Sequence, residues 1–123
     1  MARILVADDN DDMREALGLI FRSAGHEVTG AADGDEAISL YRATPFDVLV
    51  LDLLMPKRDG FDVLRILKTE FPALRALVIS GAWRVGGRDA LGYARELGAA
   101  VAILKPAEPK VVLRAVEELL VSP

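Results

Sequence analysis

Three short runs in this chain are apolar at almost every position: RILVA at residues 3–7, VLVL at 48–51 and ALVI at 76–79. A strand with one wet face alternates polar and apolar side chains, so runs of this kind need cover on both faces, and they are too short to be buried helices. A parallel sheet sandwiched between helices supplies that cover. The intervening segments have the helical period: Met13, Ala16, Leu17, Ile20 and Phe21, then Ala37, Leu40 and Tyr41, then Phe61, Leu64 and Leu67. The same alternation continues through Tyr93, Ala94 and Leu97 to Val112, Ala115, Val116, Leu119 and Leu120, with HEVTGA and VAILK as further strands. Five βα units result, with strands expected near 3–8, 47–52 and 75–80, and the fold class is a doubly wound α/β sandwich. Gly25 and Gly98 stand where helices should stop, Pro45 and Pro72 block continuation, Pro109 suits a first helical turn, and Asp33 with Glu36 reads as a capping-box variant.

With 123 residues and 52% hydrophobic content, the chain fills one core and not two, so residues 1–123 are read as one domain. It has no internal repeat or linker, and any output domain is expected to lie outside this sequence. The absence of cysteine excludes disulfides and thiolate metal sites. No secretory signal and no membrane-length apolar run occur, and a cytoplasmic protein is expected. A formal net charge of -4 argues against direct binding of nucleic acid by this domain, because that affinity requires clustered Lys and Arg.

Ligands of an open parallel sheet bind beyond the carboxyl ends of its strands, where the strand order reverses. The residues at those ends are Asp8 and Asp9, Asp52, Ser80 and Lys105. Carboxylates about 4 Å apart repel by roughly 4 kcal/mol per pair at an effective dielectric near 20. Such a cluster must take up protons, bind a cation or pair with the lysine. Oxygen donors of this kind, with no His or Cys among them, suit Mg²⁺. With repulsion lowered by a divalent ion, a carboxylate can act as nucleophile toward phosphorus, and the product would be an acyl phosphate.

VADDN at the first strand end, DLLMPKRDG at residues 52–60, VISG with Ser80, and the Lys105-Pro106 pair together resemble the receiver domain of bacterial two-component response regulators. The likeness spans essentially the whole chain. It implies a flavodoxin-like, five-stranded parallel sheet of order 2-1-3-4-5 and a phosphoacceptor switch in place of a free-standing enzyme. Asp52 would accept the phosphoryl group from a phosphohistidine on a sensor kinase or a histidine phosphotransfer protein. Asp9, Asp52 and the backbone carbonyl of Leu54 would bind Mg²⁺ directly, and Asp8 mainly through water. Ser80 would donate a hydrogen bond to the phosphoryl group, Lys105 would pair with it, and the Lys105-Pro106 bond would be cis. The first helix would face the kinase. The fourth and fifth helices with the last strand, carrying Arg88, Tyr93, Arg95, Lys110 and Arg114, would face an effector protein, a fused output domain or a second copy in a homodimer.

Two departures from that pattern bear on mechanism. Ala102 stands where similar domains carry a switching Tyr or Phe, and Trp83 or Tyr93 is a candidate to replace that ring. Leu54 and Ala82, two residues past Asp52 and Ser80, cannot orient a water, so slow loss of phosphate is expected. The segment GAWRVGGRDA, residues 81–90, fails as a P-loop because Arg88 and Asp89 follow its last glycine, and it reads as a flexible loop. Asp11 and Asp12 read as a solvated helix start with its N-cap, Asp59-Gly60 as a cap of the third helix, and His26 as a surface residue. Three rivals remain: a degenerate receiver acting as an unphosphorylated interaction module, a Mg²⁺-dependent phosphohydrolase, for which Leu54 lacks the acid-base group, and a flavin binder, for which no phosphate loop follows the first strand.

Overall fold

The structure, a computed structural model, describes residues 1–81, 84–85 and 87–122. Its elements in chain order are β1 (Arg3–Ala7), α1 (Asp11–Ser23), β2 (Glu27–Ala31), α2 (Gly34–Ala43), β3 (Val48–Asp52) and α3 (Gly60–Glu70). They continue with β4 (Ala76–Ser80), β5 (Arg84–Val85), β6 (Arg88–Asp89), α4 (Ala90–Glu96), β7 (Val101–Leu104) and α5 (Pro109–Val121). The main sheet has five parallel strands in the order β2-β1-β3-β4-β7, which is the expected 2-1-3-4-5 with β7 as fifth strand.

The unbroken apolar runs are explained by the two cores. Successive strand side chains point to opposite faces, so Ile4, Val6, Val48, Val50, Leu77 and Ile79 pack under α1 and α5 with Leu17, Phe21, Val112 and Val116. Their neighbours Leu5, Leu49, Leu51 and Val78 pack under α2, α3 and α4 with Ala37, Tyr41, Leu64, Leu67 and Ala94. Complete burial of one such Leu, Ile or Val contributes roughly 1.5–3 kcal/mol.

The local punctuation agrees with the sequence at most positions. Gly25 and Gly98 follow α1 and α4 with φ of +90° and +112°, a left-handed conformation that side chains with a Cβ adopt at a cost. Pro109 opens α5, and Asp59 caps α3 by accepting from the Asp62 N–H at 3.0 Å. Asp33 accepts from Glu36 N–H at 2.8 Å, while the Glu36 carboxylate reaches back one residue beyond the cap to the Ala32 N–H at 2.9 Å.

Three expectations need correction. The N-cap of α1 is Asn10, whose side chain accepts from Met13 N–H at 3.0 Å, and Asp11 and Asp12 occupy the first turn, where acids meet the helix dipole. Where a flexible loop was expected, Arg84 pairs with Asp89 and Val85 with Arg88 in a two-stranded antiparallel sheet. His26 is not on the surface, since its side chain is only 8% exposed. The turn at Gly25 folds the imidazole beneath the start of β1, where Nδ1 accepts from Ala2 N–H at 3.1 Å and Nε2 lies 3.5 Å from Glu117 on α5.

Candidate functional site

The strand order reverses between β1 and β3, because the chain steps from β1 outward to β2 and then crosses to the other side of β1. In the β1–β3 ladder Ala7 stands opposite Leu51, so the next residues, Asp8 just past β1 and Asp52 at the end of β3, stand side by side at the carboxyl edge. Ser80 ends β4 opposite Leu104, and Lys105 follows at once, its N–H donating to the Ser80 carbonyl at 2.7 Å. The sheet register alone therefore gathers the acids, the hydroxyl and the lysine at one edge.

Asp8 and Asp52 are buried, at 2% and 6% exposure, and Ser80 is completely buried, whereas Asp9 is exposed. One carboxylate oxygen from each of Asp8, Asp9 and Asp52 lies within 4.8 Å of the others. Asp52 Oδ1 accepts from Leu54 N–H at 3.2 Å, and Oδ2 accepts from Lys105 Nζ at 3.1 Å. The same ammonium stands 3.6 Å from Asp8 Oδ2. Asp8 is further fixed by its own N–H to the Ala31 carbonyl at 3.0 Å and by Oδ1 accepting from Asn10 N–H at 2.9 Å. The Lys105-Pro106 bond is cis, as expected.

Burial, and after it the negative charge of Asp8, pushes the Asp52 carboxyl above the usual carboxylate range; the Leu54 N–H and the Lys105 ammonium pull the other way without cancelling this. Burial also works against the charge of Lys105, yet the hydrogen bond and charge of Asp52, with Asp8 behind it, raise its pKa, so it is an ammonium at neutral pH. Three acids thus lie together with the Lys105 ammonium paired to two of them, an arrangement that favours entry of further positive charge. The donors are oxygens only, which fits a hard divalent ion such as Mg²⁺ better than a softer metal.

The loop after Asp52 is held tightly. Gly60, at the start of α3, lies against the backbone of Asp52 and Leu53: a Cβ there would come within 2.5 Å of the Asp52 carbonyl oxygen and of Leu53 Cα. Lys57 and Arg58 tie the loop to the start of α2 through Asp33 at 3.5 Å and Asp35 at 3.0 Å. Leu54, two residues past Asp52, is 47% exposed.

Ala102 is buried on β7 opposite Val78. Tyr93 packs on Phe61 of α3 with ring centroids 5.2 Å apart. Trp83 and Ala82 lie outside the described residues. Arg95, Lys110 and Arg114 are exposed on α4 and α5, and Arg88 lies in β6. Sequence reasoning passed over Asn10 and Arg14, both of which grip Asp8; the side-chain amide at a helix start was a readable signal for Asn10, but nothing local pointed to Arg14.

The family model of the response regulator receiver domain matches residues 4–117. A response regulator receiver protein of Anaeromyxobacter sp. is 39% identical over 113 residues, which is 91% of this chain and 46% of that protein, so the chain spans less than half of that relative's length. Protein CcdB of Bacillus subtilis is 33% identical over 121 residues, covering 98% of each chain. Among solved structures, the receiver domain of NtrX from Brucella abortus superposes with a TM-score of 0.88 at 29% identity, over 98% of this chain and 99% of that one. Among the described residues, no helix is long and apolar enough to cross a membrane.

Proposed function

The chain belongs to the response regulator receiver domain family, and from that premise we propose that residues 1–123 form one cytoplasmic phosphoacceptor switch with Asp52 as the acceptor. The observation that carries this reading is the buried Asp52 carboxylate, which has two further acids within 4.8 Å and an ammonium at 3.1 Å. Asp9, Asp52 and the Leu54 carbonyl would hold Mg²⁺ directly and Asp8 would do so through water; the bound ion supplies positive charge that lets an anionic phosphoryl group approach an anionic acceptor.

An Asp52 oxygen forms the new bond to phosphorus while the bond to the donor nitrogen breaks, and the leaving imidazole, on a sensor histidine kinase or histidine phosphotransfer protein, keeps the electron pair and takes up a proton. Ser80, buried at the end of β4, donates to a phosphoryl oxygen, and Lys105 exchanges its bond to Asp52 for one to the new group. The phosphoryl group brings about -1.5 to -2 charge to that edge and shifts a pre-existing equilibrium of the surface formed by α4, β7 and α5. That surface meets an effector protein, an output domain or a second copy. The domain assists its own phosphorylation and dephosphorylation and turns over no other substrate.

The test is incubation with a small acyl-phosphate or phosphoramidate donor, with and without Mg²⁺, followed by intact-mass measurement. One phosphoryl group per wild-type chain is expected only with Mg²⁺ and never in Asp52→Asn; labelling independent of the ion or of Asp52 contradicts the reading. A second reading is favoured by Ala102: without the switching ring, the domain works as an unphosphorylated interaction module. Absence of labelling in the wild type under every condition would select it.

A further inference from the structure

Resting on the reading of the acid cluster as a Mg²⁺ site, we propose that Arg14 is a positioning residue for that site, setting through the Asp8 main-chain carbonyl the direction in which Asp9 presents its carboxylate. At Asp8 the chain leaves the ladder: its N–H still bonds to Ala31 of β2, while its carbonyl has passed the last paired residue of β1, Ala7. Arg14 Nη1 reaches back from α1 and donates to that carbonyl at 2.7 Å. The carbonyl of Asp8 and the N–H of Asp9 share one rigid peptide plane, so fixing the first fixes where the Asp9 side chain begins.

Asp9 has need of this. Among the described residues Asp8 and Asp52 have hydrogen bonds that orient their carboxylates, but Asp9 is exposed and has neither a hydrogen bond nor an ion pair of its own. Its aim depends on backbone alone. Arg14 is itself held on two further sides. Nη2 donates to Asp11, and the stem lies over Gly30 of β2, where a Cβ would come within 3.1 Å of Arg14 Cδ and 3.4 Å of Nε. Only 24% of the side chain is exposed. A planar guanidinium satisfies the carbonyl and the carboxylate at once from this one rotamer, whereas a lysine ammonium in the same space lacks the fork.

Charge and position have opposite consequences here, which makes the proposal decidable. A cation near the acids opposes entry of Mg²⁺, so removing it would tighten binding if charge were its only role. A positioning role gives the reverse. The experiment is calorimetric titration of the metal-free full chain with magnesium chloride, for the wild type, Arg14→Gln, Arg14→Lys and Gly30→Val, with thermal unfolding recorded to confirm that each variant is folded at the titration temperature. Both Arg14 variants are expected to weaken binding by about tenfold or more, as loss of a partner that orients a ligand does elsewhere. Gly30→Val, which keeps every charge and only crowds the arginine stem, should weaken it in the same direction by less and stands in for any Arg14 variant that fails to fold. An Arg14→Lys affinity within about twofold of wild type, or an Arg14→Gln affinity tighter than wild type, overturns the proposal while leaving the metal site intact. A wild type that takes up no Mg²⁺ overturns the metal site and this inference together.

Discussion

The two edges of the sheet treat charge in opposite ways. At the amino edge, ionised groups meet opposite charges or main-chain carbonyls. Arg75 donates to the Leu119 and Ser122 carbonyls at 2.6 and 2.8 Å, closing the end of α5. Lys68 does the same for the Pro72 and Leu74 carbonyls, and Arg3 pairs with Glu27 and bonds to the Pro45 carbonyl. At the carboxyl edge, one oxygen from each of Asp8, Asp9 and Asp52 is brought within 4.8 Å of the others, and the Lys105 ammonium pairs with Asp8 and Asp52 but not with Asp9. The first pattern stabilises the fold. The second opposes it, and that opposition leaves binding energy for a cation to release.

This contrast has measurable consequences. The largest expected effect is at the carboxyl edge: Asp8→Asn should weaken Mg²⁺ binding by about 10–100-fold while raising the thermal midpoint of the metal-free protein, because Asp8 is part of what holds the Asp52 carboxyl up. A lower midpoint together with unchanged affinity would erase the contrast. Next is Arg75→Ala at the amino edge, which should cost about 1–2 kcal/mol in denaturant unfolding, since it strips charged donors from one partly buried and one exposed carbonyl, and should leave Mg²⁺ affinity untouched.

A pH titration of Mg²⁺ affinity sharpens the comparison further. Asp52 binds its proton more tightly in the folded than in the unfolded chain, so its contribution to stability is present below the ordinary carboxylate pKa and is lost as pH rises through the raised value. Read in the other direction, protons compete with the metal as pH falls through that raised value, and affinity should drop about tenfold per pH unit once below it. Affinity that stays flat from neutral pH down to the ordinary carboxylate range would mean that Asp52 is not a ligand. Smaller again, Asn10→Ala removes the α1 cap and should cost about 1 kcal/mol, read by thermal unfolding. The smallest effect belongs to the exposed Arg42–Glu70 pair joining α2 to α3: Arg42→Ala should leave the unfolding midpoint unchanged within error.

The same contrast accounts for what the sequence disclosed. Strand runs such as VLVLD declared themselves because every position is buried, and the strand-end rule then located Asp8, Asp9, Asp52, Ser80 and Lys105 without reference to side-chain geometry. The strand order came from the family resemblance, since five βα units of this pattern are compatible with other orders. Less was legible where the chain meets distant segments. Nothing near His26 in sequence indicates that Ala2 and Glu117 enclose it, and nothing near Arg14 indicates that Gly30 leaves room for its stem. The N-cap of α1 was missed by one residue because Asn and Asp are equally good caps and the DDNDD run offers no local reason to choose between them. The pairing of Arg84–Val85 with Arg88–Asp89 did carry a sequence signal, since two glycines in succession separate Val85 from Arg88.

Thermal unfolding of the metal-free wild type and of Asp52→Asn, each repeated with Mg²⁺ at about one hundred times the wild-type dissociation constant, tests the central claim most directly. The wild type should gain about 2.7 kcal/mol on adding the ion; Asp52→Asn should start out more stable and gain little. Equal gains in both proteins, or none in the wild type, would contradict the account of the carboxyl edge as a cation site built around Asp52.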